Sequence, residues 1–102
     1  MLRRGTTPTI RFTFTQVAVA NMAVAYLTMK QKGGGITIEK DLTDAVAGEN
    51  YLEWPLTQEE TLQIDEKSML RIQCRYRLTD GHAYASEIYD VKAREVLKEG
   101  VI

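Results

Sequence analysis

The side chains best suited to chemistry in this sequence are its one cysteine and its one histidine, Cys74 and His82. Cys74 occupies an apolar position of a predicted strand, where a free thiol usually packs as a small hydrophobic group. His82 directly follows an Asp-Gly pair, which favours an exposed turn. One cysteine excludes an internal disulfide, and with one histidine it cannot form a four-ligand structural zinc site. We therefore predict no catalytic residues, no cofactor, no metal and no enzymatic activity.

Three other patterns suggest chemistry but lack essential parts. The segment "GGGIT" resembles a phosphate loop, yet it has neither the lysine nor the following helix of a P-loop. Asp41 and Asp44 fall short of the roughly six to eight oxygen ligands that calcium takes. The carboxylates at 59–60 and 65–66 are adjacent in sequence, so they do not face each other on a helix. These acidic pairs indicate a solvated surface.

The composition excludes partners that bind through net charge. The 13 basic and 14 acidic side chains leave a net charge of -1, so we predict neither nucleic acid nor a membrane as a partner. A chain of 102 residues predicts a single domain, 1–102. The start "MLRRGTTPT" lacks the apolar segment of a secretory signal, and "VAVANMAVAYL" is well short of the roughly 18 residues of a membrane span. We expect synthesis in the cytoplasm.

Alternating apolar and polar residues predict short strands along much of the chain. "TPTIRFTFT" places Ile10, Phe12 and Phe14 on one face. The three glycines before "ITIEK" predict a hairpin turn. "YLEWPL" directs alternate side chains inward, with Trp54 in the core and Pro55 at an edge or strand end. "LTQEETLQI" has the spacing of a capping box, which predicts one helical turn.

Two segments leave alternatives open. "VAVANMAVAYLTMKQ" predicts a loop or helical turn over 18–23 and then a strand over 24–31. The alternative is one helix over 16–29, which would make the fold α+β. The segment "VKAREVLKEGVI" fits either a strand followed by an arm or a helix that ends at Gly100.

The longest predicted strand is "MLRIQCRYRL", which has basic residues on one face. Its inward positions are Leu70, Ile72, Cys74, Tyr76 and Leu78, and its outward positions are Arg71, Gln73, Arg75 and Arg77. The Asp-Gly pair at 80–81 predicts a two-residue type I′ hairpin turn. That turn would place Leu78 opposite Ala83 and Tyr76 opposite Ala85.

The same register would place Glu87 opposite Cys74, on the apolar side. We therefore predict a β-bulge near Ser86 that turns Ile88 inward and Glu87 outward. With turn signals about every eight to twelve residues, the pattern predicts an all-β fold, a sandwich of short antiparallel strands with one short helical turn.

The outward face of this hairpin is the one surface that the sequence suggests for binding. Arg71, Arg75 and Arg77 are predicted to project from one strand and Tyr84 from its neighbour. Interfaces are enriched in arginine and tyrosine, because both join a large contact area to a polar tip. We predict these four residues to be partner-binding.

The order of the segments resembles a family of small tail-region proteins of phages and prophages of Gram-positive bacteria. The segments that carry the resemblance are "RRGTTPTIRFTF", "AYLTMKQKG", "LTQEETLQI" and "RIQCRYRLTDGHAYASEIYDVKAREVLKEGVI". The layout is similar to that of the N-terminal module of baseplate upper proteins. The resemblance implies an immunoglobulin-like sandwich and a non-enzymatic structural role in the virion tail, with other tail or baseplate proteins as partners.

The resemblance also implies many copies around a symmetric axis, and hence a homo-oligomer. On this hypothesis the hairpin is an assembly surface, and the apolar segment "GVI" adds a second contact. The alternative is a carbohydrate-binding module that uses exposed aromatic residues such as Tyr51 and Tyr84 to bind glycans of the host surface.

Overall fold

The computed structural model describes residues 2–33 and 35–102; Gly34, in the predicted glycine turn, lies outside the described residues. The helices and strands follow in chain order. They are β1 Leu2–Arg3, β2 Thr9–Thr13, a 3-10 turn Val19–Asn21, β3 Met22–Gln31, β4 Thr37–Asp41, a 3-10 turn Leu42–Asp44, β5 Val46–Ala47, β6 Tyr51–Pro55, α1 Gln58–Leu62, β7 Met69–Leu78, β8 Ala83–Ala85 and β9 Tyr89–Arg94.

The strands form two sheets that face each other, which confirms the predicted all-β sandwich. The larger sheet has the order β1-β9-β7-β3-β4, with β8 pairing to the part of β7 that β9 leaves free. The smaller sheet has the order β2-β6-β5. Among the described residues all strand pairs are antiparallel except β1–β9, which is parallel. The sheets are therefore mostly, but not purely, antiparallel.

The core lies between the central strands of the two sheets. Leu27 and Met29 of β3 and Leu70 of β7 are fully buried against Leu52 and Trp54 of β6. The indole N–H of Trp54 donates to the carbonyl of Asp41 over 2.9 Å, so burial of this large ring leaves no donor unpaired. Trp54 is a core residue, as the alternation of its strand predicts.

Helix α1 begins with the predicted capping box. The hydroxyl of Thr57 accepts from the backbone N–H of Glu60 over 3.1 Å. The carboxylate of Glu60 accepts from the backbone N–H of Thr57 over 2.8 Å. Two backbone donors that the helix itself cannot pair are thereby satisfied.

The segment over 16–31 is a turn followed by a strand, so the alternative of one long helix is wrong. Within β3 the side chains of Ala25, Leu27 and Met29 are buried, while Tyr26 and Lys30 are exposed. Strand β3 pairs with β4 on one side and with β7 on the other. This central position decides its conformation against the helical preference of its alanines and methionines.

The hairpin between β7 and β8 differs from the prediction by one residue. Arg77 pairs with Ala83 and Tyr76 with Tyr84, so the predicted pairs with Ala83 and Ala85 are wrong. The N–H of Leu78 donates to the carbonyl of His82 over 2.8 Å, which leaves three loop residues, 79–81. Gly81 alone in this loop has a positive φ, of 94°. A three-residue loop with glycine last forms where the sequence predicted a two-residue type I′ turn.

The irregularity predicted near Ser86 is present, but it turns a different residue inward. Ser86 still bonds to Cys74, while Tyr89 pairs with Ile72, so two residues lie opposite Gln73. This extra residue is a bulge. Glu87 is exposed, as predicted, whereas Ile88 is exposed instead of inward. The inward aromatic residue is Tyr89.

The residues after β9 form no helix, so the helix alternative for this segment is wrong and the alternative of a strand followed by an arm is correct. The arm over 95–102 is held to the rest of the chain at its end. The N–H of Ile102 donates to the side-chain oxygen of Gln58 over 2.8 Å, and the Gln58 amide donates back over 3.3 Å.

Candidate interaction surface

Strand β7 directs three arginines to the outer face of the larger sheet. Arg71, Arg75 and Arg77 are exposed and alternate with the buried Ile72 and Cys74. This placement confirms the outward positions that the alternation predicts. Because alternate residues of a strand point to the same face, the three side chains lie on the same side of the sheet.

Tyr84 does not lie beside these arginines, which corrects the predicted site. It pairs with Tyr76 across β7 and β8, and paired residues share a face. The two rings stack with centroids 5.5 Å apart, and Tyr76 meets Phe14 edge-on at 5.1 Å. The one-residue difference in the turn is the physical reason, because a shift of one residue moves every side chain of a strand to the other face.

A different tyrosine lies among the arginines. Tyr26 of β3 pairs with Arg75, and Val24 pairs with Arg77. Tyr26 is 41% exposed. The alternation of β3 contained this signal, because Ala25 and Leu27 are inward and Tyr26 is therefore outward. We call Val24, Tyr26, Arg71, Arg75 and Arg77 the arginine face.

A shallow groove of about 240 Å³ runs across the arginine face. Val24 and Tyr26 line one side, and Arg75, Arg77 and Ala83 line the other. The neighbouring strand β8 places only alanines beside Arg75 and Arg77. Small side chains there leave the apolar stems of the arginines open to a partner.

The arginines differ in how their charges are balanced. Arg71 lies 3.7 Å from the carboxylate of Asp90, with both side chains about half exposed. Such an exposed ion pair contributes little to stability, because water screens the two charges. Arg75 and Arg77 form no ion pair with any carboxylate of the described residues. Their charges are available to a carboxylate on another molecule.

Asp41 pairs with Tyr26 across β3 and β4, but its carboxylate is engaged locally. It accepts from the backbone N–H of Thr43 over 2.9 Å and also from the Thr43 hydroxyl. The hydroxyl bond from Thr43 is the main reason that the pKa of Asp41 is lowered. Asp41 therefore stays ionised and bound to the turn that it caps.

The two candidates for nucleophilic or acid-base chemistry lie apart. Cys74 is fully buried in the core, and burial raises the pKa of its thiol to about 11. A reactive cysteine needs a lowered thiol pKa, because the thiolate is the nucleophile. His82 lies on the exposed hairpin turn, with Nδ1 3.1 Å from Oδ1 of Asp80. Over residues 2–33 and 35–102 no three His, Cys, Asp or Glu side chains form a group that could hold a metal ion.

Tyr51, named for the carbohydrate alternative, is covered by its own chain. The guanidinium of Arg11 lies 4.2 Å from its ring centroid. Gly48 lies so close that a β-carbon there would be 2.0 Å from the ring. A sugar needs an open aromatic face. Of the two tyrosines, Tyr84 is the more exposed residue, at 46%, whereas Tyr51 is half-buried.

In the part of the chain that the structure describes, no helix is long and apolar enough to cross a membrane. Comparison with known proteins found no matching family model, no matching curated protein and no matching solved structure.

Proposed function

We propose that this protein is a non-enzymatic assembly module that binds a neighbouring protein through its arginine face. The observation that carries the proposal is the pairing of Tyr26 and Val24 with Arg75 and Arg77 across two central strands. Tyrosine and arginine are the side chains that most often contribute large binding energies at interfaces. Here their backbone is held in a sheet, so little backbone freedom is lost on binding.

The proposed setting is a phage tail or baseplate, with other tail proteins as partners and further copies of this chain around a common axis. This setting rests on the resemblance of the sequence to small tail-region proteins. Because Arg75 and Arg77 form no ion pair with a carboxylate of the described residues, we expect the partner surface to carry acidic residues. The site of action on this proposal is the virion tail.

The test combines Tyr26→Ala with Arg75→Glu and measures solution mass by light scattering at several concentrations and two salt levels. We expect wild-type oligomers, or complexes with coexpressed tail proteins, to weaken by about tenfold or more in the double variant. Higher salt should weaken the wild type in the same direction, because it screens exposed charges.

The matched control is Tyr84→Ala, which removes a tyrosine of similar exposure from the opposite face of the same sheet. It should leave assembly unchanged. Equal assembly of the wild type and the Tyr26/Arg75 variant, with both folded by circular dichroism, would contradict the proposal. Loss of assembly in the Tyr84 variant alone would assign the interface to the other face.

A further inference from the structure

A second surface of the molecule has the features of a strand acceptor. Strand β2 pairs with β6 on one side, and no strand of the described residues pairs with its other side. Beside that edge runs a groove of about 510 Å³. We call it the β2 groove; its lining residues are Thr9–Thr13, Ile72, Tyr89 and Val91.

The free edge of β2 presents a regular row of backbone groups. At its two ends, Phe14 donates to the carbonyl of Asn50 over 2.7 Å, and the carbonyl of Pro8 accepts from Leu56 over 2.8 Å. Antiparallel pairing alternates along a strand. The backbone N–H and C=O groups of Thr9, Arg11 and Thr13 therefore point away from β6, toward the groove side.

The edge of the larger sheet at β4 is protected, in contrast to β2. The N–H of Asp41 donates to the carboxylate of Asp44 over 3.0 Å, and its carbonyl accepts from the Trp54 indole over 2.9 Å. Charged residues such as Glu39 add to that protection. Proteins usually block exposed strand edges by such devices, because an open edge recruits another strand. The end of β4 is therefore paired, whereas the outward backbone groups of β2 have no hydrogen-bond partner among the described residues.

The floor of the β2 groove is an uncovered part of the core. Phe12 reaches Tyr89 of β9 with centroids 6.0 Å apart, so β2 lies above the edge of β9. Tyr89 is 48% exposed, and Phe12 and Val91 are only partly buried. An added strand beside β2 would cover these side chains.

The position beside β2 suits a lone strand better than a second copy of β2. The larger sheet continues past β7 with β9 and β1, so it extends beneath the position beside β2. A second sandwich that paired its β2 there would bring its own larger sheet into the same space. The occupant is therefore an extended segment without a second layer beneath it.

Side-chain chemistry specifies that segment further. Every second residue must be apolar, because it faces Phe12, Tyr89 and Val91. On the outer side Arg11 lies 3.2 Å from the Glu53 carboxylate and 4.2 Å from the Tyr51 ring centroid, both on β6, and no strand of the described residues lies on its other flank. A carboxylate on the added strand would complete a row of alternating charges across the sheet, and opposite charges stabilise such neighbours.

We propose that the free edge of β2 binds one extended segment of a partner protein, with alternating apolar residues toward the β2 groove and a carboxylate beside Arg11. This mode of binding takes affinity from main-chain hydrogen bonds and specificity from alternate side chains. It does not depend on the arginine face or on a phage setting. The arm over 95–102 of a second copy is a poorer occupant, because Gln58 and Arg4 hold Ile102 and Glu99.

The test uses the capped peptide Thr-Val-Thr-Val-Glu-Val-Thr as the probe and the full chain labelled for NMR. We expect saturable shifts at Tyr89 and Val91 and slowed amide exchange at Thr9, Arg11 and Thr13. A peptide with lysine in place of glutamate should bind about threefold more weakly. Equal binding of the lysine peptide would overturn the proposed contact between a carboxylate and Arg11. Protection of other amides in place of these three would overturn the proposed binding site.

The matched variants are Thr13→Pro and Thr13→Ala. Proline removes an N–H that faces the groove side and none that pairs with β6, so an edge strand should tolerate it. We expect Thr13→Pro to weaken peptide binding by about tenfold or more and Thr13→Ala to leave it unchanged.

Equal binding by the wild type and a folded Thr13→Pro variant would overturn the proposal. If Thr13→Pro does not fold, amide protection in the wild type decides the question by itself. Self-association of the wild type that protects the β2 amides without any peptide would overturn the choice of a partner protein in favour of a second copy. The expected peptide results do not depend on whether the Tyr26/Arg75 variant assembles. Each of the two proposals can therefore be contradicted without the other.

Discussion

Tyr51 illustrates how single residues are fixed on the outer surface of the smaller sheet. Its ring lies between the backbone of Gly48 and the guanidinium of Arg11, which is 4.2 Å from the ring centroid. Arg11 is in turn held by Glu53 at 3.2 Å. The three side chains therefore support each other, and Gly48 provides the space because it has no β-carbon.

At this scale we predict that Gly48→Ala lowers the free energy of unfolding. The new β-carbon would lie 2.0 Å from Cε2 of Tyr51, so the ring must move and lose its contact with Arg11. Overpacking of this kind costs about 1–3 kcal/mol. Urea unfolding followed by tryptophan fluorescence measures the loss.

The control places the same change in a Tyr51→Ala background, where no ring stands in the way. In that background Gly48→Ala should lower the free energy of unfolding by only a few tenths of a kcal/mol. A loss of the same size in both backgrounds would show that the glycine matters for another reason.

Helix α1 is a short element that depends on the interactions at its ends. At five residues it is too short to be stable alone, and its start is held by the reciprocal bonds of Thr57 and Glu60. Glu60 also binds the ammonium of Lys40, on β4, over 2.9 Å. This ion pair connects the start of the helix to the edge of the larger sheet.

Stability should therefore depend on the ionisation of Glu60. Burial by itself raises the pKa of Glu60, but the N–H of Thr57 and the ammonium of Lys40 outweigh it and lower the pKa below its ordinary 4.5. A carboxyl with a lowered pKa stabilises the fold above its unfolded pKa and loses that contribution as pH falls through the folded value. We expect this loss to occur below about pH 4.5.

Urea unfolding between pH 7 and pH 3 or so checks the expectation. Glu60→Gln should be less stable than the wild type at neutral pH and should approach it in acid. A constant difference between the two proteins across the whole range would contradict the assignment to Glu60.

At the scale of the whole molecule, Arg4 connects three distant parts of the chain. Its side chain, 14% exposed, donates to the carbonyls of Ile64 over 2.6 Å and Leu62 over 2.8 Å at the end of α1. It also binds the carboxylates of Glu66 at 3.4 Å and Glu99 at 2.9 Å. The N-terminal segment, the helix and the arm over 95–102 thus meet at one guanidinium.

We predict that Arg4→Ala destabilises the protein by about 1–3 kcal/mol, because two partly buried carbonyls lose their donor. The arm over 95–102 should also exchange its amide hydrogens faster. Arg4→Lys should not restore stability, since one ammonium cannot reproduce the planar set of donors. Hydrogen exchange and urea unfolding measure both effects.

The matched control is Arg3→Ala, which removes an arginine that makes one exposed bond, to the carbonyl of Glu95. Arg3→Ala should lower the free energy of unfolding much less than Arg4→Ala does. Equal losses in the two variants, or full recovery with lysine at position 4, would contradict the connecting role of Arg4.

The sequence by itself determined where the main strands lie and which side chains fill the core. Alternation placed Leu52, Trp54 and the inward residues of β7 correctly, because burial of one face of a strand requires every second residue to be apolar. The capping box at Thr57 could also be predicted from the sequence, because its two side chains are only three residues apart. These features are local, and local chemistry decides them.

Only the tertiary structure decided which side chains share a surface. One extra residue in the loop before β8 moved Tyr84 away from the arginines, and the pairing of β3 with β7 brought Tyr26 to Arg75. The open edge of β2 likewise depends on which strands neighbour it. Register and strand order arise from contacts between residues far apart in the chain, so no local pattern could specify them.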